Sequence, residues 1–142
     1  DVTGVQTCAL PISFTISLPS RANATQADYI GLVSGRNHNK FEELGLTPVP
    51  STLVDAPYVS EFPLVLECKL VAIHELGLHT QFIGEVMDVK VDEMLVSDKQ
   101  QVTIERRDPI LFAPDVGRYY GLGALIGEAF SIGKTLVQKD KA

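Results

Sequence analysis

The stretch Leu64-Val-Leu-Glu-Cys-Lys-Leu-Val-Ala-Ile-His-Glu-Leu-Gly-Leu-His-Thr-Gln-Phe-Ile-Gly-Glu-Val-Met-Asp-Val-Lys-Val91 spells two strands about one turn. Leu64, Leu66, Cys68, Leu70 and Ala72 fall on every second position, the period of a half-buried strand, with Glu67, Lys69 and Glu75 among residues of the other face. Cys68 is then a core thiol. Gly77 supplies the turn. From Thr80 a second strand places Phe82, Gly84 and Val86 on one face, but Val89 and Val91 have slipped phase, which predicts a β-bulge near Met87. The expected unit is a long hairpin.

Toward the N-terminus, Phe14, Ile16 and Leu18 alternate with Thr15 and Ser17, and Pro19-Ser20 ends that strand. Thr25 is placed to cap a short helix with Ala27, Ile30 and Val33 on one face and Gly35 as its left-handed stop. Asn39 is placed to cap a second, shorter helix closed by Gly45. The polar loop between them, Arg36-Asn37-His38, has no apolar partner in sequence and forms a candidate binding edge. A connector from Thr47 to Pro63 holds four prolines and is expected as extended chain, on this chain's surface or around a neighbouring subunit.

Beyond the hairpin, Asp98 to Arg107 is polar, Ile110-Leu111-Phe112 is a short apolar strand after Pro109, and a turn at Pro114 to Gly117 leads to Arg118-Tyr119-Tyr120. No repeat and no second domain is visible. Strands in runs with few short helices predict an α+β or mainly β barrel rather than βαβ units.

The first residues obey a different logic. Val2 to Ile12 is the peptide that a common sequencing-library adapter encodes in one frame, so residues 1–13 are expected to be a junction scar, unselected for packing. They hold no Lys or Arg for the charged start of a secretory signal. The chain carries 12 basic against 18 acidic residues, a balance that repels phosphate backbones and anionic lipid. Neither nucleic-acid nor membrane binding is therefore expected, and small-molecule work is. Without the scar only Cys68 remains, a usage suited to a reducing cytoplasm.

Three familiar motifs fail on spacing. His74 and His79 lie five apart around Gly77, whereas a zinc helix needs i and i+4. Gly121, Gly123 and Gly127 are one residue too widely spaced for a dinucleotide fingerprint. Gly127 to Thr135 has five residues between its glycines where a phosphate loop has four.

The order of the remaining segments is informative: Phe14-Thr-Ile-Ser-Leu-Pro-Ser20, Asp28-Tyr-Ile-Gly31, Ser34-Gly35, Asn39-Lys-Phe41, Glu67-Cys-Lys-Leu70, His79 before Phe82-Ile-Gly-Glu-Val86, and Arg118-Tyr-Tyr-Gly-Leu-Gly123. In this order, from Phe14 to Leu136, the chain resembles the flavoredoxin branch of the flavin reductase-like proteins. The resemblance implies a mainly β (α+β) split β-barrel that binds FMN, usually as a homodimer, here missing its first strands and the phosphate-binding segment they carry. Residues 14–142 would be a partial domain of that type. It implies three cofactor-binding residues: Lys40 near the flavin, His79 ahead of the Phe-Ile-Gly strand, and Phe112 beside the isoalloxazine. Reduced flavin gathers negative charge at its N1 and C2-carbonyl edge, which a cation or donor such as Lys40 or His79 stabilises. Phe112 offers an aromatic contact.

From the residues alone, Lys40 reads as a solvated loop charge, His79 as a polar hairpin end and Phe112 as a core strand residue, and it is the resemblance that favours the flavin. The chain departs from the family at Ile30, often Cys, at Asn39, often Asp, and at Leu78 of Gly77-Leu78-His79, where Gly-Asp-His is frequent. The implied function is an oxidoreductase passing electrons from NAD(P)H through FMN to an acceptor; the alternative is a flavin carrier or sensor without turnover. A chain missing strands could instead bind nothing and self-associate through exposed sheet edges.

Overall fold

The computed structural model describes residues 12–137. Its elements are strand β1 (Ser13–Leu18), helices α1 (Ala24–Leu32) and α2 (Lys40–Leu44), strands β2 (Pro48–Pro50), β3 (Pro57–Val59), β4 (Leu64–Leu76) and β5 (His79–Val91), helix α3 (Ile104–Arg107), strands β6 (Ile110–Ala113) and β7 (Arg118–Gly121), and helix α4 (Lys134–Val137). The predicted scar lies outside the described residues except for Ile12 and Ser13. These two continue β1: Ser13 pairs with Lys69, and the Ile12 carbonyl accepts from the Leu70 N–H.

β4 and β5 form the expected hairpin, antiparallel from Leu64–Val91 to Leu76–His79. Gly77 turns at φ +64°, the conformation that glycine alone adopts without a Cβ penalty. Glu67 faces Asp88 and Cys68 faces Val86, so Met87 is the extra residue of a bulge, where the phase slip put it. A second bulge, at Val71 on β4, cancels the first and restores the register toward the turn. β1 pairs antiparallel with the other edge of β4, giving the order β1-β4-β5.

At the open end of the hairpin the core forms from Leu46, Phe62, Leu64, Val65, Cys68 and Leu95. Val65 and Cys68 are each 2% exposed, although they lie on opposite faces of β4, so this end of the strand is covered on both sides. Full burial of a side chain such as Val65 stabilises by roughly 1.5–3 kcal/mol. That double cover corrects one expectation: Glu67 does not face solvent but is 0% exposed. Its carboxylate accepts from the Thr52 and Leu53 N–H groups at 3.1 and 2.8 Å and pairs with Lys90 at 3.0 Å. The cost of burying a charge is offset because both oxygens are bonded.

Those bonds fix the proline-rich connector on its own chain. Within it β2 and β3 pair antiparallel, and β3 lies along β1, where Thr15 donates to the Pro57 carbonyl and the Val59 N–H donates to Ser17. The second hairpin, β6 with β7, is joined to the end of β1 by a Ser20–Pro109 bridge.

Candidate functional site

The polar loop and the two helices around it build the first part of the site. α1 begins two residues earlier than Thr25 would allow as a cap: Ser20 and Asn23 bond reciprocally and set a 3₁₀ turn, Arg21–Asn23, ahead of Ala24. It ends at Leu32, with Val33 extended, so Gly35 is not its left-handed stop. The predicted inner face holds, since Ala27, Ile30 and Val33 are half-buried and Asp28 and Leu32 exposed. α2 is as expected, with Asn39 accepting from the Glu42 N–H and Gly45 at φ +62°.

Lys40, the first residue of α2, is half-buried, and its ammonium donates to the Ile30 carbonyl at 2.6 Å. That carbonyl belongs to the last turn of α1 and has no partner within the helix, so a cation there both caps it and meets the negative helix end. Lys40 is therefore not a solvated loop charge. It forms one wall of an open cleft of about 500 Å³ made by residues 35–41. Beside the cleft, Tyr29 donates to Glu43 at 2.6 Å and His38 lies 3.2 Å from the same carboxylate. The Tyr29 bond, more than His38, holds the Glu43 carboxyl below its ordinary range, and it raises the Tyr29 hydroxyl.

Phe112 lies on β6 directly opposite Tyr119 on β7, with ring centroids 5.0 Å apart and planes tilted by 35°. It is 54% exposed, which rules out the core reading. The Tyr119 hydroxyl donates to Asp28 Oδ1 of α1 at 3.1 Å, and burial, then Asp28, push that hydroxyl up. α1 thus contacts Lys40 through the Ile30 carbonyl and Tyr119, the partner of the Phe112 ring, through Asp28. Sequence reading missed Tyr119 and Asp28 as partners. The signal was present in part, since a hairpin turning at Pro114–Gly117 puts Tyr119 opposite Phe112.

His79 is not brought to this group. It opens β5 at the turn, is exposed, and its ring makes no hydrogen bond among the described residues. The twelve steps of β4 from Leu64 to Leu76 separate it from the open end of the hairpin, about 40 Å of strand. His74 shares its face, whereas Glu75 points to the other and accepts from Thr80 at 3.0 Å.

Comparison with known proteins places this geometry. The flavin reductase-like domain profile matches residues 12–119. Flavoredoxin of Desulfovibrio vulgaris (Miyazaki F) is 53% identical, with a TM-score of 0.80 over 87% of this chain and 66% of its own. Flavoredoxin of Methanosarcina acetivorans is 28% identical at the same TM-score, over 89% of this chain and 66% of its own. An uncharacterized protein of Archaeoglobus fulgidus is 37% identical over 76 residues, which are 54% of this chain and 43% of that protein. The chain thus spans just under two thirds of the flavoredoxins and less than half of that curated relative. The chain belongs to the flavin reductase-like family, and its fold is that family's split barrel.

Proposed function

We propose that the protein is an FMN-dependent oxidoreductase that takes electrons from NAD(P)H and passes them to an acceptor, with Lys40 and Phe112 at the flavin. The observation that carries this reading is the 53% identity to a flavoredoxin at a TM-score of 0.80. Bound FMN supplies hydride acceptance and electron release, and the protein supplies orientation and charge. The residues present fit a flavin in their chemistry. The Lys40 ammonium has three donors, of which Ile30 takes one among the described residues, and the others suit an electron-rich edge. Phe112 has half its surface open to a planar ring, and Tyr119 backs it.

A homodimer belongs to the same proposal. β5 leaves Phe82, Val86 and Val89, on one face of the strand, between 46% and 50% exposed, an apolar face that a second copy would cover. So does a cytoplasmic setting, which the single Cys68 thiol of the trimmed chain favours. Among the described residues no helix is long and apolar enough to cross a membrane.

The test is NADH and NADPH oxidation by the full-length, FMN-loaded protein, run anaerobically with ferricyanide as the electron acceptor. Turnover above the rate of free FMN, lost in Lys40→Ala, supports the oxidoreductase. Tight flavin binding with no such turnover assigns the protein instead to the carrier or sensor class.

A further inference from the structure

We infer that Tyr119 and Asp28 are positioning residues that set the Phe112 ring against the bound flavin; this rests on the proposed flavin site. The two residues are 91 positions apart in sequence, yet a single hydrogen bond of 3.1 Å joins them. On one side of that bond, Tyr119 contacts Phe112 ring to ring at 5.0 Å. On the other, Asp28 stands two residues before Ile30, whose carbonyl holds Lys40. α1 therefore gives both flavin-facing groups a common reference.

The need for such a tie follows from the hairpin itself. β6 and β7 have only four residues each and, among the described residues, form a two-stranded sheet, an arrangement marginal on its own. At the base of β6 the hairpin is tied by the Ser20–Pro109 bridge and by Arg21, whose N–H and guanidinium bind the Asp108 carbonyl and carboxylate at 2.8 and 2.9 Å. Phe112 lies beyond that tie. Tyr119 to Asp28 is the contact that fixes its ring.

The experiment uses the full-length protein with FMN and four variants: Tyr119→Phe, Asp28→Ala, Asp28→Asn and the double variant Tyr119→Phe/Asp28→Ala. Tyr119→Phe keeps the ring contact and deletes the hydrogen bond. Asp28→Asn keeps an acceptor and removes the charge. FMN affinity, the visible circular dichroism of bound flavin and the Phe112 ring resonances of the flavin-free protein are measured. Tyr119→Phe and Asp28→Ala should each weaken FMN binding about tenfold, as loss of one hydrogen bond does. Both should alter the flavin dichroism and the Phe112 resonances, and the double variant should be no worse than either. Asp28→Asn should stay near the parent. Parent-like spectra in Tyr119→Phe, or an Asp28→Asn protein that behaves as Asp28→Ala, would overturn the assignment while the flavin site stands. A parent protein that takes up no FMN overturns the flavin reading and this assignment with it.

Discussion

Gly84 is the residue at which sheet packing can be tested most sharply. It lies on β5 opposite Leu70, and the Phe14 ring reaches it from β1 across the intervening β4. A Cβ added at Gly84 would stand 2.5 Å from Phe14 Cζ, 2.9 Å from Cε1 and 3.1 Å from Cys68 Cβ. Carbon atoms in contact prefer about 3.5–4.0 Å, so the ring must retreat by about 1 Å from a packed position. Overpacking of this kind costs about 1–3 kcal/mol. The gain from replacing glycine in a strand is at most about 1 kcal/mol. Gly84→Ala should therefore destabilise by about 1–2 kcal/mol, a loss of roughly 3–6 °C in thermal midpoint for a chain of this size. A double-mutant cycle isolates the cause. Phe14→Leu removes both ring atoms that clash, and in that background Gly84→Ala should be neutral or slightly stabilising. Thermal and urea unfolding of the four proteins measure it. An equal cost in both backgrounds, or a Gly84→Ala protein as stable as the parent, would refute the packing argument.

Glu67 predicts a pH dependence. Burial pushes its carboxyl up, but the Leu53 N–H, Lys90 and the Thr52 N–H outweigh burial and hold it below its ordinary value. A depressed folded-state pKa stabilises above the unfolded value of about 4.3, and that contribution is lost as pH falls through the folded value. Glu67→Gln should be less stable at pH 7 and show a shallower fall in urea midpoint from about pH 5 to pH 3; parallel acid limbs for variant and parent would contradict this. Gly77→Ala should cost about 1–2 kcal/mol, because alanine pays the left-handed penalty at φ +64°. Gly77→Asn should cost less, since asparagine tolerates that region, and equal midpoints for the two variants would argue against the turn geometry.

Much of the architecture is legible in residue order. Alternation in Leu64–Ala72, the glycine at the turn and the broken phase at Val89 define the hairpin and its bulge, because side chains alternate faces with period two and one extra residue must shift that phase. Asn39 and Gly45 bracket α2 for equally local reasons. Lys40 and Phe112 came from the order of family segments, since neither has a local signature that separates a flavin contact from a surface charge or a strand residue.

What only tertiary structure decided involves partners distant in sequence. The pattern put Glu67 on a polar face; it became the most buried charge because the connector folds back and presents the Thr52 and Leu53 N–H groups to it. Gly35 looked like a helix stop, but the reciprocal Ser20 and Asn23 bonds start α1 early, and Lys40 caps its last turn from the next helix. Tyr119 and Asp28 meet across 91 residues, and no periodicity encodes such a pairing. A local pattern determines which way a side chain points. Which groups await it there depends on how the whole chain closes.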